Sequence, residues 1–360
     1  MRVLAINAPD PLARDLHERA SAVGEMTLMI AGPSNPLSNE TLANDVDPRC
    51  AQFVNFSSRR KVDLAAIGHL RQIIRDFNPD IVHSFLPRPL SQTVLATIGM
   101  RRAPKIVSFY GITRVPSWRD PADWITYLSP RVAMHTCESN AVKDALMQGG
   151  VQESKCEVIY NCVGLVTGSL SKDELRAKYE IPKDSIVIGT VATMRPVKGI
   201  DLLLEALIQC ATIPNWVAVL IGPVLDPKIA SLANDPRLRG RIRLLGQTDN
   251  AATLMQGMDL FIMPSRKEGL CRALLEAMGQ GVCPIVSDAG GMKELVRNEV
   301  DGIVFPCEDV VSLVKAIRKL HAVPELISRY GQSAIERVES MCGPKVVGDR
   351  VFKMYQRLAA

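Results

Sequence analysis

The feature that most constrains this chain is an alternation repeated along its length. A short, apolar run is followed by an amphipathic helical pattern, and then by another apolar run. A strand that is apolar on both faces must be covered on both faces, and the helices between such strands supply the cover. The result is an α/β chain with parallel sheets. In the first half, "RVLAIN", "MTLMIAG", "DIVHSF", "KIVSFYG" and "AMHTCES" read as buried strands. "LARDLHERASAV" and "VDLAAIGHLRQIIRDF" read as helices, the latter with Leu64, Ile67, Leu70, Ile73, Ile74 and Phe77 on one face. The second half is more regular: "SIVIGTVA", "WVAVLIG", "IRLLG", "DLFIMPS", "CPIVSD" and "DGIVFP" alternate with helices such as "GIDLLLEALIQCA" and "VVSLVKAIRKL". That order predicts a doubly wound sheet, whose ligands bind beyond the carboxyl ends of its strands.

At 360 residues the chain is long for one domain. Two Rossmann-like domains facing across a cleft are expected, over residues 1–165 and 166–340, joined near 162–170 where the sequence turns polar around Gly164 and Gly168. After the Gly343-Pro344 break, residues 341–360 read as a final helix. The N-terminal run is too short for a signal peptide, and no apolar stretch reaches membrane-spanning length, so a cytoplasmic protein is expected. Nine cysteines include no C-x-x-C pair, which points to reduced thiols and no structural metal. The net charge of +5 is spread evenly over both halves. It suits phosphate-bearing ligands or an anionic lipid surface and lacks the clustered basic face of a nucleic-acid binder.

Two segments carry chemistry. In "VIGTVATMRPVKGIDLLLEAL" a buried strand runs into a loop with Arg195 and Lys198, and Gly199 opens a helix. Cations beside a helix N-terminus make an anion site, although a solvated turn would look the same. No G-x-G-x-x-G follows either first strand, so dinucleotide binding is unsupported. In "PSRKEGLCRALLEAMGQGVCPIVSDAGG" Glu268 lies on the loop after a strand and Glu276 more than a turn into the next helix. Glu276 has two readings. Arg272, four residues earlier, is spaced for a surface ion pair. Alternatively, the carboxylate accepts both hydroxyls of a ligand diol.

Together the two segments resemble the retaining nucleotide-sugar glycosyltransferases of the GT-B fold, particularly family 4. Lys198-Gly199, Glu268-Gly269, Glu276-Ala277, Gly281 and Gly290-Gly291 fall on the recurrent pattern, and the likeness extends over nearly the whole chain. The resemblance implies that Glu276 binds the ribose and Glu268 the donor sugar. Backbone at Gly269, Leu270 and Cys271 would approach sugar and diphosphate, with Arg272 in reach of the phosphates. Arg195 and Lys198 would neutralise the leaving phosphate, and the last helix would cross back to the first domain. It further implies a hexosyl transfer with retention, a UDP-sugar donor ahead of GDP-mannose, no metal or other cofactor, and a glycan or lipid-linked acceptor in envelope polysaccharide or lipopolysaccharide synthesis. Peripheral contact with the cytoplasmic face of an anionic inner membrane would follow, with no nucleic-acid partner. An epimerase or phosphorylase of the same fold, or a non-catalytic sugar-nucleotide binder, are the alternatives.

The chain departs from the family at four places. Thr193 stands where an arginine is common, Cys271 where a glycine is, and Tyr110 where a histidine points into the cleft; "NAPDPLA" replaces a glycine-rich loop. Candidate acceptor-side residues are His83, Tyr110, Arg114 and Trp118, each with an alternative in ordinary packing. The aromatic stretch 109–127 could equally form a membrane-facing lip, with charge added by "SSRRKVDL". "DVD" at 45–47 matches a metal motif but follows polar sequence and reads as a loop.

Overall fold

Seven parallel strands form the first sheet: β1 (Arg2–Ile6), β2 (Thr27–Gly32), β3 (Ala51–Asn55), β4 (Ile81–Ser84), β5 (Lys105–Tyr110), β6 (Val132–Cys137) and β7 (Cys156–Val158). Six form the second: β8 (Ile186–Val191), β9 (Trp216–Ile221), β10 (Ile242–Gly246), β11 (Leu260–Met263), β12 (Cys283–Ser287) and β13 (Ile303–Phe305). The computed structural model describes residues 1–23, 26–33, 51–163, 172–248 and 251–360; the 45–47 loop and most of the expected linker lie outside them.

Residues Met1–Cys162 and Gly343–Ala360 form one compact unit and Val163–Cys342 the other. The sheet orders are β3-β2-β1-β4-β5-β6-β7 and β10-β9-β8-β11-β12-β13. Both sheets are doubly wound. The strand order reverses between β1 and β4 in the first and between β8 and β11 in the second, and at such a reversal neighbouring loops part to leave a crevice.

In the second unit the helix Ile200–Gln209 buries Leu203, Leu204 and Leu207 against Ala218, Leu220 and Ile262 of the sheet. In the first, the helix Pro344–Ala359 packs Val347, Val351, Met354 and Tyr355 into the core that holds Leu12, Leu16 and Leu28. Arg19 ties that helix down, donating to Asp349 at 2.5 Å and to the Lys345 carbonyl at 3.0 Å.

Some elements escaped the sequence pattern. β3 and β7 are short edge strands in mixed or polar sequence, and edge strands need bury only part of their surface. The helix Pro87–Ala96 buries Ser91, Gln92 and Thr93, so its hidden face is partly polar and carries no apolar stripe. Their hydroxyl and amide groups bond to backbone carbonyls of Arg60, Lys61 and Pro89, which makes their burial tolerable. Leu64 is corrected: it is the first residue after the N-cap Asp63 and is 81% exposed, off the buried face of its helix.

Candidate active site

The second unit's crevice is built from loops after β8, β11 and β12, and glycine backbone holds them together. Gly199, the N-cap of helix Ile200–Gln209, has φ of 65°, and a Cβ there would lie 2.0 Å from the Pro264 carbonyl oxygen. Gly290, at φ +57°, is tighter: a Cβ would come within 1.7 Å of the Glu268 carbonyl oxygen. Gly291 N–H donates to the Gly269 carbonyl at 3.0 Å. The sequence thus requires glycine where three loops touch, and those contacts fix the backbone on either side of Glu268.

Lys198 and Glu268 meet directly, Nζ to Oε2 at 2.6 Å, with both side chains partly buried. The Ser265 hydroxyl donates to the same oxygen at 3.2 Å. A cation and a carboxylate from the two strands that flank the topological switch therefore come together there. Arg195, also expected in the phosphate group, is exposed, and its side chain makes no bond to any described residue.

Glu276 lies in the helix Arg272–Gly279, capped by Cys271. Arg272 Nε donates to Glu276 at 2.8 Å, and Arg272 is 76% exposed. An i,i+4 pair so exposed is worth only about 0.3–0.5 kcal/mol, little enough for a ligand diol to displace. The two readings of Glu276 are therefore compatible. Cys271 is buried, and burial pushes its thiol up to about 12, which makes it a packing group rather than a nucleophile.

The sequence reasoning missed a clamp beneath these loops. Arg266 grips Asp201 with two bonds, at 2.8 and 2.9 Å, and reaches Glu308 at 2.8 Å and the Pro196 carbonyl. Burial alone would raise the Asp201 carboxyl, but Arg266 and Lys228 outweigh it and hold it below the usual range. The signal was present as an arginine beside "KEG" and an aspartate two residues after Gly199, but only the fold brings them together.

In the first unit, the corresponding crevice holds a 320 Å3 cavity lined by Asn7, Phe56, Ser57, Ser58, Leu86 and Arg88, among others. The candidate residues of this unit lie elsewhere. Tyr110 is fully buried, edge-on to Tyr127 at 4.4 Å between centroids, with its hydroxyl donating to the Arg114 carbonyl. His83 is enclosed, with Nδ1 2.8 Å from the Tyr355 hydroxyl, and lines only a 20 Å3 pocket. Burial lowers the imidazole to about 3, which leaves it neutral and structural. The Arg114 guanidinium is engaged by the buried Asp123 carboxylate, one of its two bonds at 2.9 Å. Trp118 is exposed.

The sequence matches known families. Residues 12–166 match the model described as Glycosyltransferase Family 4, and residues 171–337 match Glycosyl transferases group 1. The chain is 30% identical to an Escherichia coli UDP-Gal:alpha-D-GlcNAc-diphosphoundecaprenol alpha-1,3-galactosyltransferase over 175 residues, 46% of this chain and 45% of that one. It is 23% identical to the lipopolysaccharide core biosynthesis glycosyltransferase LpsD of Rhizobium meliloti, covering 80% of this chain and 78% of the relative. The crystal structure of Anabaena HepE with UDP-glucose superposes with a TM-score of 0.75 over 99% of this chain and 100% of that one, at 17% identity. Two doubly wound parallel sheets, the paired glutamates behind the Lys198-Gly199 turn and these matches place the chain among the family 4 glycosyltransferases of the GT-B fold.

Proposed function

We propose that this glycosyltransferase moves a hexose from a UDP-sugar to a hydroxyl of a lipid-linked glycan, with retention and without a metal ion, in envelope polysaccharide or lipopolysaccharide synthesis at the cytoplasmic face of the inner membrane. The observation that carries the donor half is the Lys198–Glu268 pair at the second unit's switch point, with Glu276 in the helix that follows. In this reading Glu276 exchanges Arg272 for the ribose diol, and Gly269, Leu270 and Cys271 border sugar and diphosphate. Lys198 moves from Glu268 to the phosphate, which frees Glu268 for a sugar hydroxyl. Arg195 and Arg272, both exposed, add positive charge. The UDP preference is supported by the donor named for the E. coli relative and by the ligand of HepE. The lipid-linked acceptor and the envelope setting are supported by the names of the two curated relatives.

The chemistry balances without a further reactant. The bond from the anomeric carbon to the diphosphate breaks, the acceptor oxygen forms the new bond on the same face, and its proton passes to a departing phosphate oxygen. Positive charge placed beforehand on that phosphate is the largest rate term. The test offers UDP- and GDP-sugars with a lipid-linked acceptor, in EDTA, and reads the product by NMR. An α-linked product from an α-linked donor supports the reading. Inversion, a strict metal requirement, or epimerised or phosphorolysed sugar without transfer overturns it.

A further inference from the structure

The second unit holds a cavity at the end of its sheet opposite the donor crevice. The loops after β8 and β11 carry Lys198 and Glu268; at the amino ends of the same two strands, Ser185, Ile186 and Asp259 line a space of 560 Å3. Asp259 ties those ends together. Its Oδ2 accepts from Val187 N–H at 2.8 Å, and its own N–H donates to the Val187 carbonyl at 2.9 Å. The helix Lys172–Lys178 and the loop after it form one wall, and the helix Glu325–Cys342 forms another. The volume lies within the range of about 300–1,000 Å3 that small-molecule sites occupy.

The two walls differ in chemistry. The first carries cations. Lys172 Nζ meets Asp259 at 2.6 Å, while Arg176 reaches Asp259 at 3.4 Å and donates to the Ser185 carbonyl at 3.2 Å. Lys183 is exposed and makes no hydrogen bond or ion pair with any described residue. Against these three cations stand two lining acids, Asp184 and Asp259, which leaves one positive charge in excess. Arg176 Nε is a buried donor without a partner among the described residues. Guanidinium and ammonium groups side by side suit a phosphate, which accepts from both. The second wall is neutral. Ser328 and Gln332, one turn apart, are exposed, and their side chains bond to no described residue. Gln280 stands between the walls. Its Nε2 donates to the Glu276 carbonyl at 3.0 Å, and its Oε1 is a buried acceptor left without a partner. Buried polar groups are normally met, so a donor and an acceptor both left over beside one cavity mark it as a place for a polar guest. Hydroxyl and amide groups donate and accept as sugar hydroxyls do, and Ile327 and Ile335 offer an apolar surface to a sugar ring.

We infer that this cavity binds a phosphorylated monosaccharide, with the phosphate on Arg176 and Lys183 and the sugar hydroxyls on Gln280, Ser328 and Gln332. The site is separate from the donor crevice, and its test needs neither donor nor acceptor, so its failure would leave the transferase reading standing. Isothermal titration of the full chain with glucose 1-phosphate, glucose 6-phosphate and mannose 6-phosphate measures it, with glucose and inorganic phosphate as the two halves of the ligand. At least one sugar phosphate should bind saturably at one site, with inorganic phosphate roughly tenfold or more weaker and glucose weaker still. Lys183→Glu should lower the affinity by roughly tenfold or more, and its melting temperature should hold because Lys183 has no partner to lose. Ser328→Trp, on an exposed position of the other wall, should block the cavity and abolish binding. Lys198→Ala should bind the sugar phosphate as the wild type does, which separates this site from the donor crevice. Failure of all three sugar phosphates to bind, or inorganic phosphate binding as tightly as they do, would overturn the inference. So would binding that Lys198→Ala removes, or that Lys183→Glu and Ser328→Trp both leave intact.

Discussion

Replacing Gly290 with alanine should damage the donor loops far more than the gain of one methyl group suggests. The added Cβ would meet the Glu268 carbonyl oxygen at 1.7 Å, against a backbone atom with no rotamer to move. Left-handed backbone costs a non-glycine residue about 1–2 kcal/mol. Relieving overlap in packed structure costs about 1–3 kcal/mol more. The sum, roughly 2–5 kcal/mol, is a large share of the stability of one α/β unit. Gly68 is the control: it sits in the exposed part of helix Leu64–Phe77 with nothing within 4 Å of its Cβ position. Alanine there should stabilise by about 0.5–1 kcal/mol. Urea titrations of both variants, paired with equilibrium UDP binding, measure the difference. Gly290→Ala should lose stability, and whatever folds should bind UDP more weakly because Glu268 has moved. A Gly290→Ala protein within about 0.5 kcal/mol of wild type would show that the loops are not locked there, and the account of how Glu268 is positioned would fail.

Acid should destabilise the first unit in a defined window. His83 and His135 are buried with imidazoles lowered by burial from 6.5 to about 3 and about 4, so the unfolded chain binds their protons first. Stability is full above pH 6.5 and falls below it, by up to about 1.4 kcal/mol per pH unit for each histidine. His83→Gln should flatten that slope in urea titrations at pH 4.5–7. Asp123→Ala strips Arg114 and Ser117 N–H of their partner and should cost roughly 2–4 kcal/mol by the same measurement, while Asp123→Asn should cost less. Cys271 should resist iodoacetamide in the native protein at pH 8 and react in urea, as read by peptide mass spectrometry.

Much of this was legible from residue order because the governing physics is local. Apolar runs alternating with 3.6-residue stripes dictate a doubly wound sheet, and the interval from Glu268 to Glu276 places one carboxylate on a loop and the other in a helix. The first unit was read less well because its discriminating features are not periodic. Tyr110 and His83 carry chemistry-bearing groups, but burial decided their roles, and burial depends on Tyr127 and Tyr355, which are distant in sequence from one or both. Arg266 and Asp201 lie 65 residues apart, and no spacing rule joins them. Leu64 fits a helical stripe on paper yet precedes the first buried turn.

The central claim is that the switch-point loops of the second unit hold a uridine nucleotide through Lys198 and Glu276. Isothermal titration of UDP into the wild type, Lys198→Ala, Glu276→Gln and the remote surface control Lys319→Ala tests it most directly. The account predicts affinity lowered about tenfold or more in the first two variants, which corresponds to about 1.4 kcal/mol or more, and unchanged in the third. Undiminished UDP binding by both Lys198→Ala and Glu276→Gln would contradict it.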